Sequence, residues 1–368
     1  MTTAAAAAQD TAATLPQARI AKLPAAFFGA VMGLVGLGLA WRSAARVFGV
    51  PPLIGELILA LGAAAFVLLA AFYIAKIVRA PGAVLAELMH PGQSSFFGTI
   101  SISFVLLGAA ALPWSGPLAN RLWAIGVALQ AVLILVVFRN WIVHPMQFDH
   151  IHPGWFILMV GIVVGVPTGV ALEHHELSWA CLAAGTLAAV TLYPIILFRL
   201  FFHTPLPPLL RPTLFILIAP PALIFNAYYS LNGGQLDAFA HGLFFAGLFF
   251  TILVLSLLRV FLGLPFAVSW WAYTFPLDAM TSAALAYHAK IGQPASGAIA
   301  AVLLALTSAI VAIVSARTGL ALQRGELFGR SRSGAQSPEL NDSRSRYRGQ
   351  TSVIRNKPGA AGARLSPN

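Results

Sequence analysis

The chain has 368 residues, of which 59% are hydrophobic and only 9% charged, and its mean hydropathy is +0.83. A soluble domain carries roughly 25% charged residues, so this composition excludes one and indicates an integral membrane protein. The formal net charge is +11, and the single cysteine, Cys181, excludes an intrachain disulfide.

Residues 1–22 open on an alanine-rich, polar stretch without the charged n-region of a signal peptide, and they are expected to form a disordered tail. Apolar runs between polar or Pro/Gly punctuation then predict ten membrane helices: 24–46, 52–78, 95–114, 119–142, 153–172, 177–202, 209–230, 237–263, 266–288 and 296–317. At about 20 residues each they fill a transmembrane domain spanning 23–318. That leaves no room for a soluble catalytic domain, and no nucleophile, metal set or paired acids converge in the spans, so the protein is expected not to be an enzyme. Cys181 lies within an apolar run and reads as a small buried hydrophobe. Short connections, such as Gly49-Val50-Pro51 and Trp114-Ser115-Gly116-Pro117, predict five antiparallel helical hairpins.

With the N-terminus in the cytoplasm, nine Lys and Arg residues flank the spans on that side and four, Arg42, Arg46, Arg121 and Lys290, on the other. The positive-inside rule therefore favours both termini in the cytoplasm. Residues 319–368 add nine basic and three acidic residues without apolar periodicity. This reads as a disordered tail that contacts anionic membrane lipids, with no nucleic-acid partner.

A weak internal repeat gives the spans a polarity. Phe27-Phe28-Gly29 opens the first, Phe96-Phe97-Gly98 the third and Gly154-Trp155-Phe156 the fifth. Breakers or small residues follow in the odd spans: Gly33 and Gly36, then Ser101 and Ser103, then Gly161, Gly165 and Pro167. The seventh has Pro220-Pro221 and the ninth Pro276, whereas even spans are smoother, although Pro194 interrupts the sixth. Freed backbone polar groups are tolerated in hydrocarbon only beside protein or a watery cavity. Five odd spans broken at similar depth therefore predict a shared axis that these spans line.

The ten-span layout resembles the tellurite-resistance/dicarboxylate transporter family, which includes the slow-type anion channels of plant guard cells. The residues that carry the likeness are Phe28 to Leu34 with Leu39-Ala40-Trp41-Arg42, His152 to Phe156, and above all Trp271-Ala272-Tyr273-Thr274-Phe275-Pro276. The resemblance implies a homotrimer in the cell (inner) membrane of a bacterium. Each protomer would hold a pore lined by five odd helices in a quasi-five-fold arrangement and ringed by five even ones. It also implies that Phe275 blocks the pore at mid-membrane and that small inorganic or organic anions pass, with no cofactor. The first helix departs from several relatives in having Ala30-Val31 where they carry a proline. A second function consistent with the likeness is a secondary transporter of dicarboxylates, sulfite or tellurite-like oxyanions, with or without protons.

A phenyl ring at a constriction closes a pore by bulk and by excluding a partly dehydrated ion. Pro167, Pro220 and Pro276 are the expected kinks. Phe28, Gly33, Ser101, Ser103, Gly161, Thr168 and Thr274 are the expected lining, where hydroxyls and backbone amides freed at the kinks, together with the basic cytoplasmic flanks, would select anions. Asp278 lies one helical turn beyond Phe275 and fits an anion path least well. It either pairs with a neighbouring helix through a group such as Asn226, or exchanges a proton coupled to anion passage. Glu56 is expected to reach water. Histidines and acids gather at His144, Asp149, His150 and His152, and again at Glu173, His174, His175 and Glu176, but their spacing fits no metal pattern and no metal site is expected.

Overall fold

The computed structural model describes residues 21–325. Of the two predicted tails, 1–20 and 326–368 lie outside the described residues. Every regular element among the described residues is helical. Ten principal helices follow the predicted runs: α1 Ala25–Phe48, α2 Leu53–Arg79, α3 Ser94–Ala111, α4 Gly116–Val143, α5 155–171, α6 His175–Phe202, α7 Arg211–Leu231, α8 Ala238–Ser256, α9 268–291 and α10 Pro294–Gln323. Eight of them are long and apolar enough to cross a membrane. The exceptions are α5 and α9, whose turns are divided into shorter segments.

The helices segregate by burial. In α1, α3 and α7 between 67% and 78% of the most apolar window is buried, against 17% to 33% in α2, α4, α6, α8 and α10. The even helices show large apolar side chains outward, including Leu57, Leu68, Leu135, Leu187, Phe249 and Val302. A surface of this kind is stable only against hydrocarbon or another apolar partner. Packing between the odd helices runs from α1 to α3, α5, α7 and α9, and α9 returns to α1. Each even helix packs against its hairpin partner and, in α4, α6, α8 and α10, against a second odd helix. Gly49 and Gly292 end α1 and α9 in the left-handed conformation, at φ 68° in both, which a residue with a Cβ adopts only with strain.

Each odd helix contains a 3₁₀ stretch at or near its start: Ala25–Phe28, Ser94–Phe97, Gly161–Gly165, Arg211–Ile218 and Val268–Tyr273. Runs longer than three or four residues are uncommon, and three of these are longer. Pro167, Pro220 and Pro276 all fall within the first three residues of the α-helix that follows such a stretch. There a missing N–H costs little, because the first turn of an α-helix has no internal acceptor for it.

The structure corrects four expectations about the elements. The α1 and α3 junctions come early, at Gly29 and Gly98, so Gly33, Gly36, Ser101 and Ser103 lie inside unbroken helix. Breaks at similar depth are confined to α5, α7 and α9. Pro194 lies within the continuous α6 rather than interrupting it. The run 237–263 ends as a helix at Ser256, and Leu258–Phe261 forms a separate turn. The connection after α2 contains an unpredicted helix, Pro81–Met89.

Candidate functional site

Two cavities lie along the ring of odd helices, and every residue lining either one comes from α1, α3, α5, α7 or α9 or the start of one of them. The first, about 50 Å³, is enclosed by their N-terminal halves. Its walls are Met32, Phe96, Ile102, Phe156, Trp271 and similar apolar groups, with Thr99 and Ser269 the hydroxyl exceptions. The second, about 330 Å³, is enclosed by the C-terminal halves and is polar: Ser43, Arg46, Thr168, Asn226, Tyr229, Ser230, Asp278 and Ser282 all border it. Phe275 and Leu223 alone border both. Phe275 is 8% exposed and stands in the first turn of the α-helical part of α9, just after the 3₁₀ stretch.

Of the predicted lining, Gly161, Pro220 and Pro276 border the inner cavity, and Pro167 and Thr168 the outer one. The others face elsewhere. Phe28 packs its ring edge-on against Phe66 and Tyr73 of α2, with centroids 5.9 Å apart in both pairs. Gly33 is where α9 approaches α1, since a Cβ there would collide with the Thr274 side chain. Thr274 itself donates to Trp271 O at 2.8 Å. Ser101 bonds to Gln130 Oε1 of α4, and Ser103 donates to Thr99 O at 2.7 Å.

Three carbonyls at or near the breaks in α5 and α7 are satisfied from the even helices. Gln130 Nε2 donates to Leu158 O at 2.6 Å, Trp123 Nε1 to Gly165 O at 2.8 Å, and the Tyr193 hydroxyl to Leu217 O at 2.5 Å. Unpaired carbonyls in hydrocarbon would cost several kcal/mol each, which explains why polar side chains occur on otherwise apolar helices.

Asp278 is 1% exposed, and neither carboxylate oxygen has a hydrogen-bond partner within the protein. Asn226 does not reach it and donates instead to Ala279 O at 3.0 Å. The carboxylate packs on α1 at Gly36, where a Cβ would lie 2.7 Å from Oδ2. Any larger residue at 36 would displace it.

Charged pairs frame the two ends. At the N-terminal end Lys76, 2% exposed, pairs with Glu87 of the short helix Pro81–Met89 and donates to Leu23 O at 2.7 Å. Glu87 also accepts from Ala25 N at 2.6 Å, so one buried pair fixes the start of α1 beside Ala26 of the inner cavity. At the other end Glu56 is not free in water: it takes two hydrogen bonds of 2.8 Å from Arg42, whose third goes to Ala110 O at 3.0 Å. Sequence reasoning missed both pairs, although Arg42 and Glu56 flank a hairpin turn and so were close enough to suggest one.

The histidine loop before α5 is used for packing. His152 is fully buried, its ring stacks on Phe96, and Nδ1 accepts from Gly154 N at 3.1 Å. The proton therefore sits on Nε2, which donates to Gly92 O at 3.1 Å. Burial, aided by the nearby positive Arg199, pushes the His152 imidazole down to about 4. Asp149 Oδ1 lies 4.0 Å from Arg199 and accepts from Thr204 at 3.3 Å. Among the described residues no three His, Cys, Asp or Glu side chains converge as metal ligands would.

Apolar helices turned outward around inner helices that border cavities define a multi-pass membrane protein. Residues 22–319 match the model of the SLAC1 family, described as voltage-dependent anion channel, and the chain belongs to that family. It is 27% identical over 277 residues to the tellurite resistance protein TehA homolog of Haemophilus influenzae, covering 74% of this chain and 84% of the relative. Another relative is the uncharacterized transporter MJ0762 of Methanocaldococcus jannaschii, 25% identical over 288 residues, 71% and 83% of the two chains. The guard cell S-type anion channel SLAC1 of Arabidopsis thaliana is 24% identical over 308 residues, 81% of this chain. This chain spans about half, 55%, of that plant channel's length.

Proposed function

We propose that the protein is a gated anion channel whose path runs through the ring of odd helices and is held shut at Phe275. The observation that carries this reading is that Phe275, with Leu223, is all that borders both the dry inner cavity and the polar outer one. A narrow apolar segment excludes an ion by refusing it solvation, so the ring and the inner cavity act as one barrier. The 3₁₀ stretch before Phe275 supplies a hinge, because its hydrogen bonds are poorer than those of the α-helix that follows. The relatives named as anion channels support anions as cargo. In this reading ten helices cross a bacterial inner membrane with both termini in the cytoplasm, and three chains assemble, each with its own path. Phe275→Ala should raise anion conductance in planar bilayers by more than about tenfold. Unchanged conductance from a folded, inserted mutant would sink the gate.

Asp278 favours a second reading, a proton-linked carrier. An unpartnered carboxyl on the wall of the outer cavity repels anions when ionised and not when protonated. On a Phe275→Ala background, flux would then rise from about pH 8 to about pH 5, and Asp278→Asn would make it high and flat. Identical pH profiles for the two proteins would leave Asp278 a packing partner of Gly36.

A further inference from the structure

Building on the channel reading above, we infer that the vestibule at the C-terminal ends of α1 and α9 is an anion-binding site, in which Arg46 and the hydroxyls beside it hold a small inorganic anion before it enters the path. The vestibule has a volume of about 550 Å³ and shares Ser43, Arg46, Tyr229, Ser282 and Ala286 with the outer cavity, so the two adjoin. No carboxylate lines it.

The two arginines of α1 are in opposite states. Arg42 is consumed by Glu56 and a carbonyl. Arg46 has one hydrogen bond, 3.2 Å to Ser43 on its own helix, which leaves most of its five N–H donors free toward the cavity. A guanidinium without an acid partner beside hydroxyls is complementary to an anion.

His288 stands on the same wall. Ser296 Oγ gives its proton to Gln293 O at 2.7 Å, so toward His288 Nδ1, 2.9 Å away, it accepts. Nδ1 therefore carries the proton and spends it on Ser296, which leaves Arg46 and the hydroxyls of Ser43, Tyr229 and Ser282 as the vestibule's donors toward an anion. The nearest acid of α8, Asp237, is engaged by Tyr228 and the start of its own helix.

The test is a bromide titration of the detergent-purified full chain, exchanging gluconate for bromide at constant ionic strength and reading the melting temperature. A saturable rise is expected, with its midpoint raised about fivefold or more in Arg46→Gln and close to the parent in Arg46→Lys. Equal midpoints in the parent and Arg46→Gln would overturn the site. On a Phe275→Ala background, Arg46→Gln should lower conductance more at about 0.02 M salt than at about 1 M, because salt screens a fixed charge. Equal loss at both would also overturn it. A Phe275→Ala protein that never conducts counts against the channel reading and leaves the bromide midpoints to decide the site.

Discussion

The two halves of the ring of odd helices are built from opposite materials. The N-terminal half is narrow, apolar and partly 3₁₀, with aromatic side chains from α3, α5 and α9 around about 50 Å³. The C-terminal half is α-helix, apart from Val163 and Val164 of the α5 3₁₀ stretch, around a space of about 330 Å³ with hydroxyls, an amide, an arginine and an acid on its walls. In the channel reading proposed above, this contrast makes closure the work of a region rather than of one ring, because an ion from the polar half would meet mainly apolar walls past Phe275. Polar groups of the inner half are largely spent on backbone: Thr99 donates to Ala25 O at 2.9 Å, and the break in α5 is held by Gln130, while the Ser269 hydroxyl on the cavity wall has no partner within the protein.

The largest effect that would sharpen this contrast is on conduction. Phe275→Ala should open the path, and adding Leu223→Ala, the other residue between the halves, should raise planar-bilayer conductance again by a smaller factor. If Leu223→Ala alone matched Phe275→Ala, the barrier would not centre on the phenyl ring. Next in size is the clamp beside the inner half. Lys76→Met strands a buried Glu87 and should cost about 3 to 5 kcal/mol, read as a fall in melting temperature in detergent. Restoring neutrality with Lys76→Met/Glu87→Gln should recover part of that loss.

His152 predicts a pH dependence of the same half. Its folded-state value of about 4 lies below the ordinary 6.5, so the unfolded chain binds a proton that the folded chain refuses. Its contribution is whole above about pH 6.5 and is lost as pH falls toward 4, by on the order of 3 kcal/mol. Melting temperature should drop across that window, and His152→Gln should flatten the drop. The smallest effect is at the break in α5. Gln130→Leu leaves Leu158 O without its donor and should cost about 1 to 3 kcal/mol, seen as a modest shift in thermal unfolding. No shift would show that water reaches that carbonyl, and the inner half would then not be dry.

Much of this architecture was legible in the chain. Span positions follow from run length alone, because a bilayer sets how many apolar residues a crossing needs. The alternation of broken and smooth helices was readable in Pro167, Pro220 and Pro276, and those three do border the cavities. Phe275 was reached through its motif rather than through periodicity. Less accurate was the inference from small residues to lining. Gly33 and Ser101 occupy the right helices and face the wrong way, since one glycine or serine suits both a cavity wall and a close helix contact.

By itself, then, the sequence determined a polytopic helical membrane protein, the breaks marked by Pro167, Pro220 and Pro276, and the family to which it belongs. These depend on composition and on interactions a few residues apart. Only the tertiary structure decided that Asp278 lies against Gly36 without a partner, that Arg42 is tied to Glu56 while Arg46 is not, and that Gln130, Trp123 and Tyr193 brace the carbonyls of another helix. The reason is rotational. A helix hydrophobic on every side has almost no moment to orient it in lipid, so which residues meet the axis is fixed by how neighbouring helices pack and by where buried polar groups find partners.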